Sequence, residues 1–187
     1  MFLWFYCLSI PRVLLLASAA VLLVWSADLL GYRKKFWRPL MLLLFICWFL
    51  AVAGKTVFLR KSGSGRAPEW HLFASYRAVM AGGNPEILRS NLMNVILFLP
   101  GGMFLSMAFP HRKHIWLWIL LEGICLTAFS AGIEYCQFRF QLGYAETDDI
   151  FHNGLGAFLG AFLGTVPTLL RNRYPKLREF PWKKLKN

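Results

Sequence analysis

Five long apolar stretches constrain this chain more than any other feature of its sequence. A helix needs about 20 mostly apolar residues to cross the hydrocarbon core of a bilayer. Hydrophobic residues form 57% of the chain and charged residues only 16%, which leaves too few polar side chains to coat a soluble fold. The sequence therefore predicts an all-α polytopic membrane protein, a bundle of about five transmembrane helices. The stretches cover Leu8–Leu30, Leu40–Leu59, Ser90–Phe109, Ile115–Phe138 and Ile150–Leu170.

The same pattern divides the chain into four regions. Residues 1–60 hold two transmembrane helices, residues 61–88 form a loop, residues 89–170 hold a three-helix core, and residues 171–187 form a basic tail. Apolar residues recur at helical spacing from Trp70 to Met80 in the loop. This spacing suits a short helix lying in the membrane interface, and it equally suits a loop helix packed on the bundle.

The basic residues indicate how the helices are oriented in the membrane. The net charge is +12, and its Lys and Arg residues lie between and after the apolar stretches. Thirteen of them fall on one side of the predicted membrane, and seven, or eight with Lys55, fall on the other. Because cytoplasmic loops carry the excess of Lys and Arg, we expect the N-terminus outside and the C-terminus in the cytoplasm. Basic clusters beside apolar helices favour anionic lipid, so no nucleic-acid partner is expected.

Three of the apolar stretches carry amide and carboxyl side chains at helical spacing. Polar side chains within membrane helices generally face the bundle interior or a functional site. In the expected orientation all of them lie at one depth, beneath the outer surface. The pairs are Asn91 with Asn94, Glu134 with Gln137, and Asp149 with Asn153.

Two interpretations of these side chains are open. They form a ligand-binding site, to which Arg89, Arg139 and Tyr144 lie close in sequence. Alternatively, the asparagines only join neighbouring helices, and Glu134 forms a structural ion pair with Arg139 or Arg89. Glu122 lies deeper and off this face, which makes it a weaker candidate.

The fifth stretch has a second pattern of its own. Gly156, Gly160 and Gly164 continue the face that begins with Asp149 and Asn153, as is typical of close helix packing in membranes.

The residues around the start of this stretch have simpler expected roles. We expect Thr147 to cap the helix and Asp148 to interact favourably with the positive end of its dipole. We expect His152 to lie at the membrane interface. The four cysteines lie in apolar runs without metal-ligand spacing, so no metal or cofactor is expected.

Three strings in this region resemble the VanZ-like family of bacterial membrane proteins. They are N-L-M-N-V-I-L-F-L-P-G-G from Asn91, I-E-Y-C-Q from Ile133 and D-D-I-F-H-N-G-L-G-A-F-L-G from Asp148. The resemblance extends from Arg89 to Gly164 and covers about half the chain. It implies a multi-pass protein of the bacterial cytoplasmic membrane, associated at family level with reduced teicoplanin susceptibility. It does not supply a reaction.

One departure from the family pattern concerns an arginine that family members often carry. The family pattern has Gly-Arg before the last helix, whereas this chain has Gly143-Tyr144. If that arginine binds an anionic group, then Arg139 or Arg89 must substitute for it here.

These observations support three hypotheses of function. The first is a non-enzymatic protein that binds or moves an amphiphilic envelope molecule, a lipid-linked precursor or a lipopeptide-like compound, at the outer leaflet. The second is a small membrane enzyme acting on a lipid headgroup, with Glu134 and Asp149 as its acid and base. The third is a scaffold that assembles partners through its glycine face. The sequence leaves the oligomeric state open.

Overall fold

The computed structural model describes residues 10–29, 34–60, 63, 67–84, 86–109 and 113–174. The basic tail after residue 174 and most of the turn at residues 61–66 lie outside the described residues. The described chain is helical, which confirms the predicted all-α class. Its elements are α1 (Ile10–Leu29), α2 (Lys34–Ala53) continued by a π-helical turn (Gly54–Phe58), α3 (Ala74–Met80), α4 (Glu86–Ala108), α5 (Ile115–Arg139) and α6 (Thr147–Arg173).

Four of these helical segments are long and apolar enough to cross a membrane. They are Phe36–Phe58, Glu86–Ala108, Ile115–Arg139 and Thr147–Arg173. Helix α1 corresponds to the first predicted stretch and contains a shorter apolar segment, Ser18–Asp28. Helices α4 and α6 begin three or four residues before the predicted apolar runs, because their first turns are polar.

The most extensive helix contact joins α4 and α6. The glycine face of α6 lies directly on the α4 backbone, and a Cβ atom at any of these glycines would overlap main-chain atoms. Gly102 of α4 likewise faces the backbone of α6. Small residues allow this approach, which maximises van der Waals contact where lipid removes the hydrophobic driving force. The glycine of α6 and the carbonyl of α4 meet in the pairs Gly156–Val95, Gly160–Leu99 and Gly164–Met103.

Two tryptophans attach the N-terminal helices to this core. The Trp48 indole of α2 lies against Gly101 and meets Phe98 edge-on at 5.4 Å between ring centroids. Its Nε1 donates to the Leu97 carbonyl at 2.8 Å. In α1, the Trp25 Nε1 donates to the Leu163 carbonyl of α6 at 3.0 Å. Buried indole N–H groups need such acceptors, so these bonds fix where α1 and α2 pack.

Near the C-terminal end of α6, Asp28 and Arg171 form an ion pair of 2.6 Å, and Arg171 also donates to the Asp28 carbonyl. This pair ties the end of α1 to the end of α6. The helices therefore form one bundle in which α4, α5 and α6 meet at the centre.

The packing at Gly160 generates the first prediction. We expect Gly160→Ala to lower the unfolding temperature of the purified protein in lipid nanodiscs, because its methyl group must displace the α4 backbone. Overpacking of this kind costs about 1–3 kcal/mol. Gly132→Ala is the matched control, since nothing lies within 4 Å of a Cβ built there. Equal unfolding temperatures for the two variants would contradict the close contact.

Candidate functional site

The polar pairs of three helices meet at one end of the bundle. The Asn94 Nδ2 of α4 donates to Asp149 Oδ1 of α6 at 2.6 Å. Asn153 Nδ2, one turn further along α6, donates to the Ser130 hydroxyl of α5 at 2.9 Å. The Glu134 carboxyl of α5 accepts the backbone N–H that precedes α6, at 3.0 Å. We call the six residues that the sequence predicted here the polar cluster: Asn91, Asn94, Glu134, Gln137, Asp149 and Asn153. Two of its members bond outside the set, since Asn91 donates to Ser75 and Gln137 donates to Thr56.

The polar cluster is largely shielded from solvent. Asn91, Glu134, Gln137 and Asn153 are each at most 5% exposed. The Oδ1 atom of Asn153 is buried without a hydrogen-bond partner among the described residues. An unsatisfied buried oxygen of this kind costs about 1–3 kcal/mol, so the cluster retains an acceptor that its own donors do not use.

Carboxyl groups outnumber cations in this part of the bundle. The carboxyls of Glu134, Glu146 and Asp149 lie close enough to interact electrostatically, and Arg60 is the arginine whose charge acts on Glu134 and Asp149. Arg60 follows the π-helical turn of α2, and its guanidinium lies beside Gly143. A Cβ atom at residue 143 would overlap the end of that flexible side chain, so a larger residue there would require Arg60 to move.

Sequence reasoning missed Arg60 and favoured two other arginines. Arg89 lies 3.6 Å from Glu86, with which it forms an i, i+3 pair. Arg139 is exposed at the end of α5, and Tyr144 is 38% exposed. No local pattern relates Arg60 to Glu134, because their proximity depends on how α2 packs against α5. Gln137 contributes to that packing by donating to the Thr56 carbonyl of the π-helical turn at 3.4 Å.

Asp148 has a larger role than the expected interaction with the helix dipole. It is 2% exposed and accepts hydrogen bonds from the backbone N–H of Phe73, the backbone N–H of Ser75 and the Ser75 hydroxyl. Asn91 Nδ2 donates to the same hydroxyl at 2.9 Å. Helix α3 lacks a capping side chain of its own, and Asp148 supplies one from α6. The carboxylate thus holds the loop helix on the bundle.

His152 is buried within the protein, whereas the sequence predicted a position at the membrane interface. It is 3% exposed, and its Nδ1 lies 2.6 Å from the Asp148 carbonyl. Because a carbonyl only accepts, Nδ1 carries a hydrogen, and Nε2 faces the Tyr76 hydroxyl of α3 at 2.8 Å. The expectation was wrong because α3 covers this side of α6.

The expected cap at Thr147 is also wrong. Glu146 is the N-cap residue of α6, and no side chain caps it. The Thr147 N–H donates instead to the Glu69 carbonyl at 3.1 Å, and Glu69 N–H donates to the Ala145 carbonyl at 2.9 Å. The loop therefore satisfies one of the N–H donors at the helix start that have no partner within the helix.

These contacts bear on the two interpretations of the loop helix. Ser75 and Tyr76 attach α3 to α6 by hydrogen bonds, so the helix is packed on the bundle. Large apolar side chains of the same segment remain exposed: Trp70, Leu72, Phe73 and Met80.

The sequence matches a known protein family over most of its length. A model of the VanZ/LLP1 family matches residues 36–169. The chain belongs to the VanZ/LLP1 family. No curated protein and no solved structure gives a significant match. The matched region runs from α2 to α6 and so includes Arg60, the loop helix and the whole polar cluster of this VanZ/LLP1 member.

Potential metal-binding side chains are not clustered in the part of this VanZ/LLP1 protein that the structure describes. There, no group of three or more His, Cys, Asp or Glu side chains could hold a metal ion. The groups that the site presents are amides, carboxyls and the Arg60 guanidinium, which form hydrogen bonds and carry charge.

The bonds of Asp148 generate a prediction about the loop helix. We expect Asp148→Ala to increase hydrogen–deuterium exchange across residues 73–80, because hydrogen bonds to a charged group contribute about 1.5–3 kcal/mol each. Asp148→Asn keeps one acceptor oxygen and should give a smaller increase. The control is Glu86→Gln, an exposed carboxyl at the start of α4. Unchanged exchange in Asp148→Ala would show that other contacts hold α3.

The position of Glu146 generates a prediction about pH. Burial, together with the negative charges of Asp149, Asp148 and Glu69, raises the pKa of Glu146 to about 7. Between its ordinary value of 4.5 and about 7 the folded protein binds more protons than the unfolded chain. The contribution of Glu146 to the free energy of unfolding therefore falls as pH rises through that window.

We expect Glu146→Gln to raise the unfolding temperature at pH 8 and to flatten its decline between pH 5 and 8. The measurement is thermal unfolding in nanodiscs at several pH values. A variant that declines as steeply as wild type would contradict the assignment.

Proposed function

We propose that this protein binds the headgroup of an amphiphilic envelope molecule at the outer leaflet of a bacterial cytoplasmic membrane. The observation that carries the proposal is the charge imbalance at the polar cluster. Three mutually interacting carboxyls, Glu134, Glu146 and Asp149, share one end of the bundle with Arg60. A set of like charges held together at partial burial is stabilised by a partner that supplies donors or positive charge.

The chemistry of the cluster limits the kind of headgroup. Carboxylate and amide oxygens accept hydrogen bonds from hydroxyl, amide and ammonium groups, and Asn153 Oδ1 has no donor within the described chain. The Arg60 guanidinium can bind a phosphate or carboxylate of the same molecule. The proposed ligand is therefore rich in donors and carries an anionic group, as in a lipid-linked precursor or a lipoglycopeptide.

Apolar residues in the chain segments beside the cluster suit the acyl part of such a ligand. Phe58 and Leu59, which precede Arg60, are 80% and 77% exposed, and Trp70 is 53% exposed. Aromatic and aliphatic side chains at the level of the headgroups commonly contact lipid. An amphiphile would place its headgroup at the cluster and its chain along this surface.

A second candidate is a small membrane enzyme that acts on a lipid headgroup. The observation that favours it is the electrostatic contact between Glu134 and Asp149. Their partners differ, since Glu134 accepts a backbone N–H and Asp149 accepts the Asn94 amide. Two carboxyls in different surroundings can divide the roles of acid and base.

Binding to protein in nanodiscs tests the proposal. The probes are a fluorescent lipid-linked cell-wall precursor and a glycopeptide with and without its acyl chain. We expect Glu134→Gln combined with Asp149→Asn to weaken binding of an acylated probe about tenfold or more. The reason is that hydrogen bonds to charged groups contribute about 1.5–3 kcal/mol and every 1.4 kcal/mol is a factor of ten.

The control variant is again Glu86→Gln, which should bind as wild type does. Equal affinity of the double variant and wild type for every probe would overturn the proposal. Conversion of the labelled precursor to a product, lost in Glu134→Gln, would establish the enzyme instead.

A reporter fused to the C-terminus checks the expected cytoplasmic tail. Expression in a sensitive bacterium measures the effect on teicoplanin susceptibility that the family resemblance implies.

A further inference from the structure

Polar side chains of α5 and α6 face each other at two successive levels of the bundle. Asn153 Nδ2 donates to the Ser130 hydroxyl at 2.9 Å, and Glu134 accepts the Glu146 N–H at 3.0 Å, so the two helices run antiparallel here. Asp149 lies four residues before Asn153 on α6, and Glu134 lies four residues after Ser130 on α5. Side chains at that spacing share one face of a helix. The two carboxyls therefore lie one turn beyond the Asn153–Ser130 bond, toward the end of the bundle that carries the polar cluster.

The directions of these side chains bring the two levels together. Every Cα–Cβ bond of an α-helix is tilted toward the N-terminus of that helix. Asn153 therefore leans along α6 toward Asp149, whereas Glu134 leans along α5 toward Ser130. The amide and the carboxyl approach one space from opposite directions, between the bonded pair and Asp149.

Three acceptor oxygens at this space lack a donor within the described chain. Asn153 is 5% exposed, and its Oδ1 is buried without a hydrogen-bond partner there. Glu134 uses only Oε2, for the backbone N–H, and Asp149 uses only Oδ1, for the Asn94 amide. Among the described residues, no basic side chain forms an ion pair with either carboxyl. The site thus has one amide oxygen and two carboxyl oxygens to offer a ligand.

The number of donors and the charge decide which chemical group fits these oxygens. A hydroxyl has one hydrogen to donate, an amide has two and no charge, and a primary ammonium has three and a positive charge. A nearby positive charge favours the ionised form of a carboxyl, and a second carboxylate disfavours it. Hydrogen bonds between charged partners are also roughly twice as strong as neutral ones. A primary ammonium is therefore the group that matches both requirements.

We propose that Glu134, Asp149 and Asn153 bind a primary ammonium group on the headgroup of the amphiphile, an inference that rests on the function proposed above. Each of the three ammonium hydrogens is donated to one of the three oxygens. The Arg60 guanidinium, beside Gly143, takes the anionic group of the same headgroup. The ligand class is thereby narrowed to zwitterions that carry an amine and a phosphate or carboxylate. A phospholipid with an ethanolamine headgroup and a water-soluble phosphoethanolamine share this chemistry.

Titration of the purified full chain in detergent with chain-labelled phospholipids tests this assignment. The probes are phosphatidylethanolamine, phosphatidylcholine and phosphatidylglycerol with identical acyl chains, together with soluble glycerophosphoethanolamine. We expect phosphatidylethanolamine to bind about tenfold or more tightly than the other two lipids. The reason is that the choline nitrogen has no hydrogen to donate and the glycerol headgroup has no positive charge. Weaker binding of the soluble compound would identify the lipid as the source of the amine.

Two single variants locate the ammonium group within the protein. Asn153→Ala and Glu134→Gln should each reduce the preference for ethanolamine over choline headgroups. The matched control for Asn153→Ala is Ser130→Ala, which breaks the same Asn153–Ser130 hydrogen bond and leaves all three acceptor oxygens in place. It should keep the wild-type preference. The comparison of headgroups on wild type tests the assignment even where a variant does not fold.

The failure of this assignment differs from the failure of the proposed function. Equal affinity for phosphatidylethanolamine and either other lipid would overturn the ammonium site. If Glu134→Gln combined with Asp149→Asn still weakened binding of those lipids, the proposed function would stand without it. Equal binding of every amphiphile by wild type and that double variant would overturn both. Binding of glycerophosphoethanolamine as tightly as the lipid would overturn the assignment of the amine to an amphiphile.

Discussion

The contact between the backbones of α4 and α6 sets the register of the two helices that carry most of the polar cluster. With glycine at residues 156 and 160, α6 rests on the carbonyls of Val95 and Leu99 with no side chain between them. This contact fixes the register of the two helices, and Asn94 donates to Asp149, which lies about two turns of α6 before Gly156. A larger residue in the glycine face would separate the helices and would also separate the amide from the carboxylate. Packing and site geometry thus depend on one interaction.

Asp148 and Asp149 are neighbours in sequence, yet they serve different parts of the structure. The two side chains leave α6 about 100° apart, so one faces the loop helix and the other faces α4 and α5. Both carboxylate oxygens of Asp148 accept hydrogen bonds, from the backbone N–H groups of residues 73 and 75 and from the hydroxyl of residue 75. Asp149 accepts the Asn94 amide and remains within the electrostatic reach of Glu134 and Arg60. One carboxyl therefore holds the loop, while the neighbouring carboxyl belongs to the polar cluster.

Helical periodicity was sufficient to predict much of this arrangement. The i, i+3 and i, i+4 spacings placed Asn94, Glu134 and Asp149 on inward faces, and the structure brings them together. It was not sufficient for groups whose partners lie far away in the chain. Arg60 reaches the cluster through the packing of α2, and His152 is buried only because α3 covers it. Asp148 resembles an ordinary residue at a helix start until the loop is placed over it.

Glu122 illustrates the same limit from the opposite direction. The sequence placed Glu122 off the face of Glu134, yet the structure buries both carboxyls among the inward residues of α5. The Oε2 atom of Glu122 has no hydrogen-bond partner within the described chain, whereas Glu134 accepts the backbone N–H of Glu146 across the bundle. The difference comes from the chain that folds over each carboxyl, which the periodicity of α5 does not contain.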